Sequence, residues 1–159
     1  MLTVYLTCGL PGAGKSTWSI KKAESDASVV ILSKDVFRSM IKGTYVFDTL
    51  YEPMINELTE SSIYHILDSR FNLIIDEINL NPTMRTKWLG IVDETEIKVR
   101  KVCVWLTETQ TNLENRLKDP RGYDAEKWAE VIDHMRVRFI PPTLDEGFDE
   151  IIQIPFGSF

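Results

Sequence analysis

The 159-residue chain is poor in cysteine and histidine, and each scarcity removes a class of protein. Two cysteines, Cys8 and Cys103, cannot build the multi-bridge framework of a small secreted scaffold. Both sit in apolar runs and read as buried thiols of a reducing, cytoplasmic compartment, in a cell or a phage-infected host. Two histidines, His65 and His134, lie far apart, and no Cys/His spacing suggests zinc. No stretch is long and apolar enough for a membrane span, so no membrane partner is expected. The start, MLTVYLTCGLPG, lacks the basic region of a signal peptide and reads as a first core strand. Eight glycines and seven prolines are too few for a collagen-like chain, and no repeat or linker divides the sequence. What remains is a globular composition, 43% hydrophobic and 26% charged, of about one domain's length.

Positive charge is also scarce overall. The net charge of −6 argues against a broad nucleic-acid-binding face. Its distribution is uneven, however. Residues 1–42 carry six Lys or Arg against three acids, whereas residues 43–78 carry one Arg against seven acids. A local basic island in an acidic chain suits a small anionic ligand held at one place.

Short apolar runs alternate with helical patterns. Leu2–Thr7, Val29–Ser33, Leu73–Asp76 and Val99–Leu106 read as strands, with a weaker fifth at Glu150–Ile154. Between them, Lys15–Glu24, Asp35–Ile41, Leu50–Arg70, Pro82–Asp93, Thr109–Leu117 and Ala125–Val137 read as helices. In the long one, Leu50, Met54, Leu58, Ile63, Ile66 and Leu67 define the expected apolar face. Asn81-Pro82 predicts an N-cap followed by proline at the first helical position. The alternation predicts an α/β, doubly wound parallel sheet of about five strands, with ligands at the carboxyl ends of the strands.

Gly9-Leu10-Pro11-Gly12-Ala13-Gly14-Lys15-Ser16 matches G-x-x-x-x-G-K-[ST] between a strand and a helix. The glycines let backbone N–H groups turn toward phosphate oxygens, and the following helix offers its N-terminus to the same anion. Lys15 is expected on the β- and γ-phosphates of ATP, Ser16 on Mg²⁺, and Thr17 on the α-phosphate.

The second strand runs into Ser33-Lys34-Asp35-Val36-Phe37-Arg38. Asp35 could accept the proton of an attacking hydroxyl, and Arg38 could hold an anionic group of the acceptor. The alternative is a helix-capping aspartate with a solvated arginine. Asp76 follows the third strand at the usual Mg²⁺-shell position, or simply caps the strand end. Asp76 is placed with Asp35 and Arg38 on the substrate side, and so is Arg85, on the first turn of the next helix. Asn115-Arg116-Leu117-Lys118-Asp119-Pro120-Arg121-Gly122 ends a helix and breaks it with Pro and Gly. It predicts a lid over about 116–124, with Arg121 closing on the transferring phosphoryl and Arg116 assisting from the helix end. The alternative is a basic helix C-terminus answering its dipole. The tryptophans are scattered and read as packing residues, not as a base-stacking platform.

CGLPGAGKSTW, SKDVFR, IIDEINLNPTMRTKW and ENRLKDPRG, in this order from Leu2 to about Arg138, resemble the kinase domain of the bacteriophage polynucleotide kinase family. That family phosphorylates 5′-hydroxyl ends of DNA or RNA with ATP. The resemblance implies a P-loop kinase fold, Lys15 and Ser16 as the phosphate-loop lysine and magnesium hydroxyl, and Asp35 as general base on the 5′-hydroxyl. It implies Arg38 on the phosphate 3′ to the terminal nucleoside, Asp76 in the strand-end motif, and Arg85 near the nucleic-acid path. Arg116 and Arg121 become lid arginines on the nucleotide phosphates. No Asp-x-Asp-x-Thr motif is present, so a phosphatase domain is not expected. Two other readings stay open. One is a P-loop kinase for a small-molecule or tRNA-linked hydroxyl, since the seryl-tRNA kinase family has a similar GLPGAGKST start. The other is a nucleotide-dependent binding module that transfers nothing.

Overall fold

The computed structural model describes every residue except Phe156 and Phe159. In chain order the elements are β1 (Leu2–Cys8), α1 (Lys15–Ser25), β2 (Val29–Leu32), α2 (Lys34–Met40), α3 (Glu52–Asp68), β3 (Asn72–Ile75), α4 (Pro82–Glu94), β4 (Val99–Leu106), α5 (Asn112–Leu117), α6 (Ala125–Arg138) and β5 (Glu150–Ile154). The five strands form one parallel sheet in the order β2-β3-β1-β4-β5. No helix among the described residues is long and apolar enough to cross a membrane.

Alternating side chains of the central strands feed two cores, because successive residues of a strand face opposite sides. Val4, Leu6, Cys8, Leu73, Ile75 and Cys103 pack on one face, against Ile63 and Leu67 of α3 and Trp88, Leu89 and Val92 of α4. Val102, Val104 and Leu106 pack on the other with Ala13 and the half-buried Tyr5 and Trp18, whose rings meet edge to face at 5.8 Å. Covering both faces makes the sheet doubly wound.

Local chemistry sets the element ends that matter. Ser33 caps α2 by accepting from the Asp35 N–H at 3.2 Å. Asn81 caps α4 by accepting from the Met84 N–H at 3.1 Å, with Pro82 starting the helix as its sequence predicts. α5 starts three residues later than the apolar pattern suggested. The Asn112 side-chain oxygen accepts from both the N–H and the hydroxyl of Thr109, which folds that stretch into a turn. The face of α3 also differs from expectation. Its buried stripe is Ile55, Thr59, Ile63 and Leu67, a strict four-residue spacing. Leu50 and Met54 are exposed, and Leu58 and Ile66 are half-buried. The Thr59 hydroxyl can occupy a core position because it donates to the Ile55 carbonyl at 2.6 Å.

Candidate active site

The sheet order places the carboxyl ends of β1, β2 and β3 side by side, and the loops leaving them line one cleft of about 1040 Å³. The segment around the end of α5 lines its far wall.

The loop Gly9–Gly14 joins β1 to α1. Gly9 donates its N–H to the Ile78 carbonyl at 3.0 Å, tying the loop to the segment that follows β3. Gly12, at φ 78°, passes so close to α5 that a Cβ there would lie 1.9 Å from the Asn112 carbonyl oxygen. Any side chain would break this approach. Asn115 holds the same place by donating from Nδ2 to the Gly12 carbonyl at 3.2 Å. Lys15 curls over the loop and donates from Nζ to the carbonyls of Gly9 and Leu10 at 2.8 and 2.9 Å. Burial pushes its ammonium down to about 8, against the opposing pull of Asp76. Ser16 and Thr17 stand exposed at the mouth of the cleft.

Asp76 and Glu77 leave β3 in different directions. Thr7 pins the bend, donating its hydroxyl to the Glu77 carbonyl at 2.9 Å and accepting from the Glu77 N–H at 3.1 Å. Asp76 faces the phosphate loop. Burial raises its carboxyl above the usual range, while Ser16, Lys15 and Thr7 work in the opposite direction. Glu77 turns to α2 and accepts from the Lys34 N–H at 2.7 Å. Burial pushes it up to about 7, against that hydrogen bond. The Ser16 hydroxyl and Asp76 carboxylate are adjacent hard oxygen donors beside a phosphate cradle, a set that fits Mg²⁺.

α2 carries Asp35 and Arg38 into the cleft. Asp35 accepts from Arg38 Nη1 at 2.8 Å and from Arg121 Nη1 at 2.6 Å. Burial alone would raise its carboxyl, but Arg121 and then Arg38 outweigh it and hold the group below its usual value. Arg38 is gripped on its other edge by Glu52, with Nε and Nη2 at 2.9 and 2.8 Å from the two carboxylate oxygens. Three of its N–H groups are thereby engaged by carboxylates. Phe47 lies over its guanidinium at 5.3 Å.

Arg116, in the last turn of α5, and Arg121, after the helix, both reach the cleft. Arg116 stacks over Trp128 at 5.0 Å and bonds Asp119. Arg121 takes a left-handed backbone, φ 50°, lies 4.4 Å over the Tyr45 ring and shares Asp119 with Arg116.

Arg85 is a correction. It does not face an acceptor; it is fully buried behind the cleft. Its Nε and Nη2 grip Glu146 at 2.6 and 2.8 Å, and Nη1 donates to the carbonyls of Asn79 and Ile140 at 3.0 Å each. A buried guanidinium with these partners ties α4 to the segment before β5. The sequence pattern showed a cation on a first turn and could not show Glu146, 61 residues on.

The structure therefore brings Lys15, Ser16, Asp35, Arg38, Asp76, Arg116 and Arg121 to one cleft. It adds Glu77, Asp119, Tyr45 and Phe47 to the cleft lining and Glu52 behind Arg38, none of which the sequence reading singled out, and gives Trp88 and Trp128 places in the cleft wall. Tyr45 and Phe47 sit in a segment without periodicity, and Glu52 and Glu77 act through partners 14 and 43 residues away, whereas Asp119 bonds arginines within three residues of it.

An L-seryl-tRNA(Sec) kinase from Methanococcus maripaludis is 28% identical over 152 residues, covering 93% of this chain and 56% of the relative. The chain spans about half or less of the curated relatives it matches. Among solved structures, a chain of the Pnkp1/Rnl/Hen1 RNA repair complex superposes with a TM-score of 0.68 at 22% identity, covering 90% of this chain and 49% of that one. A fungal RNA kinase superposes at 0.66 with 12% identity, covering 99% and 77%. At those identities the likeness is one of fold, the P-loop kinase fold. The model of the AAA domain family AAA_33 matches residues 4–142, and the chain belongs to that family.

Proposed function

We propose that this chain transfers the γ-phosphoryl group of ATP to a 5′-hydroxyl end of DNA or RNA. The observation that carries the reading is Asp35. A carboxylate held by two arginines, one from its own helix and one from the lid, stands across the cleft from a phosphate loop. A nucleotide-binding switch has no need of that arrangement; a kinase acting on an alcohol does.

The roles follow from position. Backbone N–H groups of the Gly9–Gly14 loop and the start of α1 cradle the phosphates, and Lys15 exchanges its loop carbonyls for phosphate oxygens. Ser16 and Asp76 would hold Mg²⁺, which when bound neutralises phosphate charge. Asp35 orients the acceptor hydroxyl and takes its proton as the oxygen attacks. Arg121 leaves Asp35 for the transferring phosphoryl group, and Arg116 steadies the nucleotide phosphates. Arg38, fixed by Glu52, keeps Asp35 aimed.

The test is transfer of labelled γ-phosphate from ATP to 5′-hydroxyl DNA and RNA oligonucleotides, with an Asp35→Asn control. Labelled oligonucleotide that disappears with the variant supports the reading. ATP binding without any labelled end sinks it. The seryl-tRNA kinase relative supports a second reading, a tRNA-linked hydroxyl as acceptor. An aminoacylated tRNA in the same assay separates the two.

A further inference from the structure

Trp128 is buried, yet among the described residues it joins neither of the two apolar cores around the sheet. Its side-chain hydrogen bond and ring contacts fall instead on one short stretch of chain, residues 116–123. The indole Nε1 donates to the Pro120 carbonyl at 2.7 Å. The Arg116 guanidinium lies 5.0 Å over the ring, and the Tyr123 ring packs against it at 5.4 Å, tilted by 56°. α6 presents this side chain from a fixed base. Asp124 caps the helix by accepting from the Lys127 N–H at 2.8 Å, and the Trp128 N–H donates to the Asp124 carbonyl at 3.0 Å.

The stretch so held contains a strained bend. The Pro120 carbonyl also accepts from the Tyr123 N–H at 3.0 Å, closing a four-residue turn. Its two central residues, Arg121 and Gly122, both take positive φ, 50° and 85°, as in a type I′ turn. Glycine does so freely. For arginine the left-handed region is unfavourable, and a residue stays there only where its surroundings over-determine it. Arg121 is held from both sides. Beyond the bend, its guanidinium bonds Asp35 and Asp119 and covers the Tyr45 ring. Before the bend, the Pro120 carbonyl shares one rigid peptide plane with the Arg121 N–H, and Trp128 fixes that carbonyl.

We propose that Trp128 is a positioning residue for Arg121: its indole N–H locks the Pro120–Arg121 peptide and keeps the arginine in the left-handed bend that aims it across the cleft. The inference rests on the kinase reading and gives the phosphoryl-stabilising arginine a fixed pivot. The guanidinium exchanges Asp35 for phosphate while its backbone stays in place. Because the Arg116 guanidinium lies over the same ring, one side chain sets the spacing of both cleft arginines.

The test uses Trp128→Phe, Arg121→Ala and the double variant beside the wild type. Phenylalanine removes the N–H and leaves an aromatic ring beneath Arg116. Cooperative unfolding reports that each variant is folded. With a 5′-hydroxyl oligonucleotide as acceptor, Trp128→Phe should lower kcat about tenfold, the scale of one hydrogen bond, and leave KM for ATP near that of the wild type. In the Arg121→Ala background the same substitution should change kcat by less than about twofold, because the residue it acts through is gone. An unchanged kcat, or an equal loss in both backgrounds, overturns the proposal. Denaturant unfolding of the same four proteins gives a readout that needs no transfer. The stability costs of the two substitutions should be clearly less than additive, and additive costs overturn the proposal. Coupled costs without any phosphorylated acceptor would keep Trp128 as the anchor of Arg121 and remove the kinase reading.

Discussion

Arg121 and Asp35, 86 residues apart in the chain, are joined by a 2.6 Å hydrogen bond from the guanidinium Nη1 to a carboxylate oxygen. The proposed base and the proposed phosphoryl-stabilising arginine therefore hold each other. While they do, Asp35 is a weak base, its carboxyl kept low by the arginines against the effect of burial. On the proposed roles, phosphate in the loop would compete for Arg121, and its release would make Asp35 more basic.

Arg121→Ala separates these effects. Transfer should fall by about 10³, the scale of an arginine finger. The acid limb of kcat/KM should also move to higher pH, because the carboxyl loses the main partner that held it down while Arg38 remains. A pH–rate profile checks both; an acid limb that stays in place removes the coupling.

Asp35→Asn keeps the shape of the side chain and discards its basicity. Nucleotide affinity should be near that of the wild type, since Asp35 lies across the cleft from the loop, while transfer should drop by roughly 10² to 10⁴. Isothermal titration with an ATP analogue and single-turnover kinetics give the two numbers. Wild-type turnover would show that the base is elsewhere.

Glu77 links pH to stability. Its folded carboxyl is pushed up to about 7 from an ordinary 4.5. Below about pH 4.5 both folded and unfolded chains hold the proton, and the group is neutral in the balance. Between 4.5 and 7 only the folded state holds it, so this contribution to stability falls as pH rises, and above 7 the full penalty persists. Glu77→Gln removes that slope. Denaturant unfolding should show the variant gaining on the wild type across this window, reaching roughly 1 to 3 kcal/mol. Parallel curves would argue against the shift.

Arg85→Met tests the correction made above. It leaves Glu146 buried without its cation, an omission that costs about 3 to 5 kcal/mol. ATP affinity measured below the melting temperature should be unchanged, since Arg85 lies outside the cleft. A variant that loses acceptor binding while keeping its stability would return Arg85 to the substrate.

Gly12→Ala should abolish nucleotide binding. The new methyl would meet the Asn112 backbone carbonyl oxygen at 1.9 Å, at a φ that alanine resists. Fluorescent nucleotide titration reads the loss.

Much of this was legible from local chemistry. The phosphate loop, the cap at Asn81-Pro82, and the strands Val99–Leu106 and Glu150–Ile154 are written in residues close together in sequence. The placing of Asp35 beside Arg121 required a sheet order that brings the end of β2 under the lid. Long-range partnership was not legible. Arg85 carries no local mark that Glu146 will bury it, and Arg38 none that Glu52 will take two of its donors. The α3 face slipped because Thr59 serves as a core residue once its hydroxyl bonds back to the helix, whereas Leu50, outside the helix, is left to solvent.

The strand order has a consequence for how the chain is made. β1 is synthesised first, yet its neighbours are β3 and β4, and β2 can join only through β3. The phosphate-loop strand must wait unpaired until residues 72–75 have emerged, and its other edge until residues 99–106 have. Only the outer pairs, β2 with β3 and β4 with β5, are both consecutive and adjacent. The strand that carries the phosphate loop, first of the five in sequence, therefore gains both of its sheet neighbours only once β4 has been made.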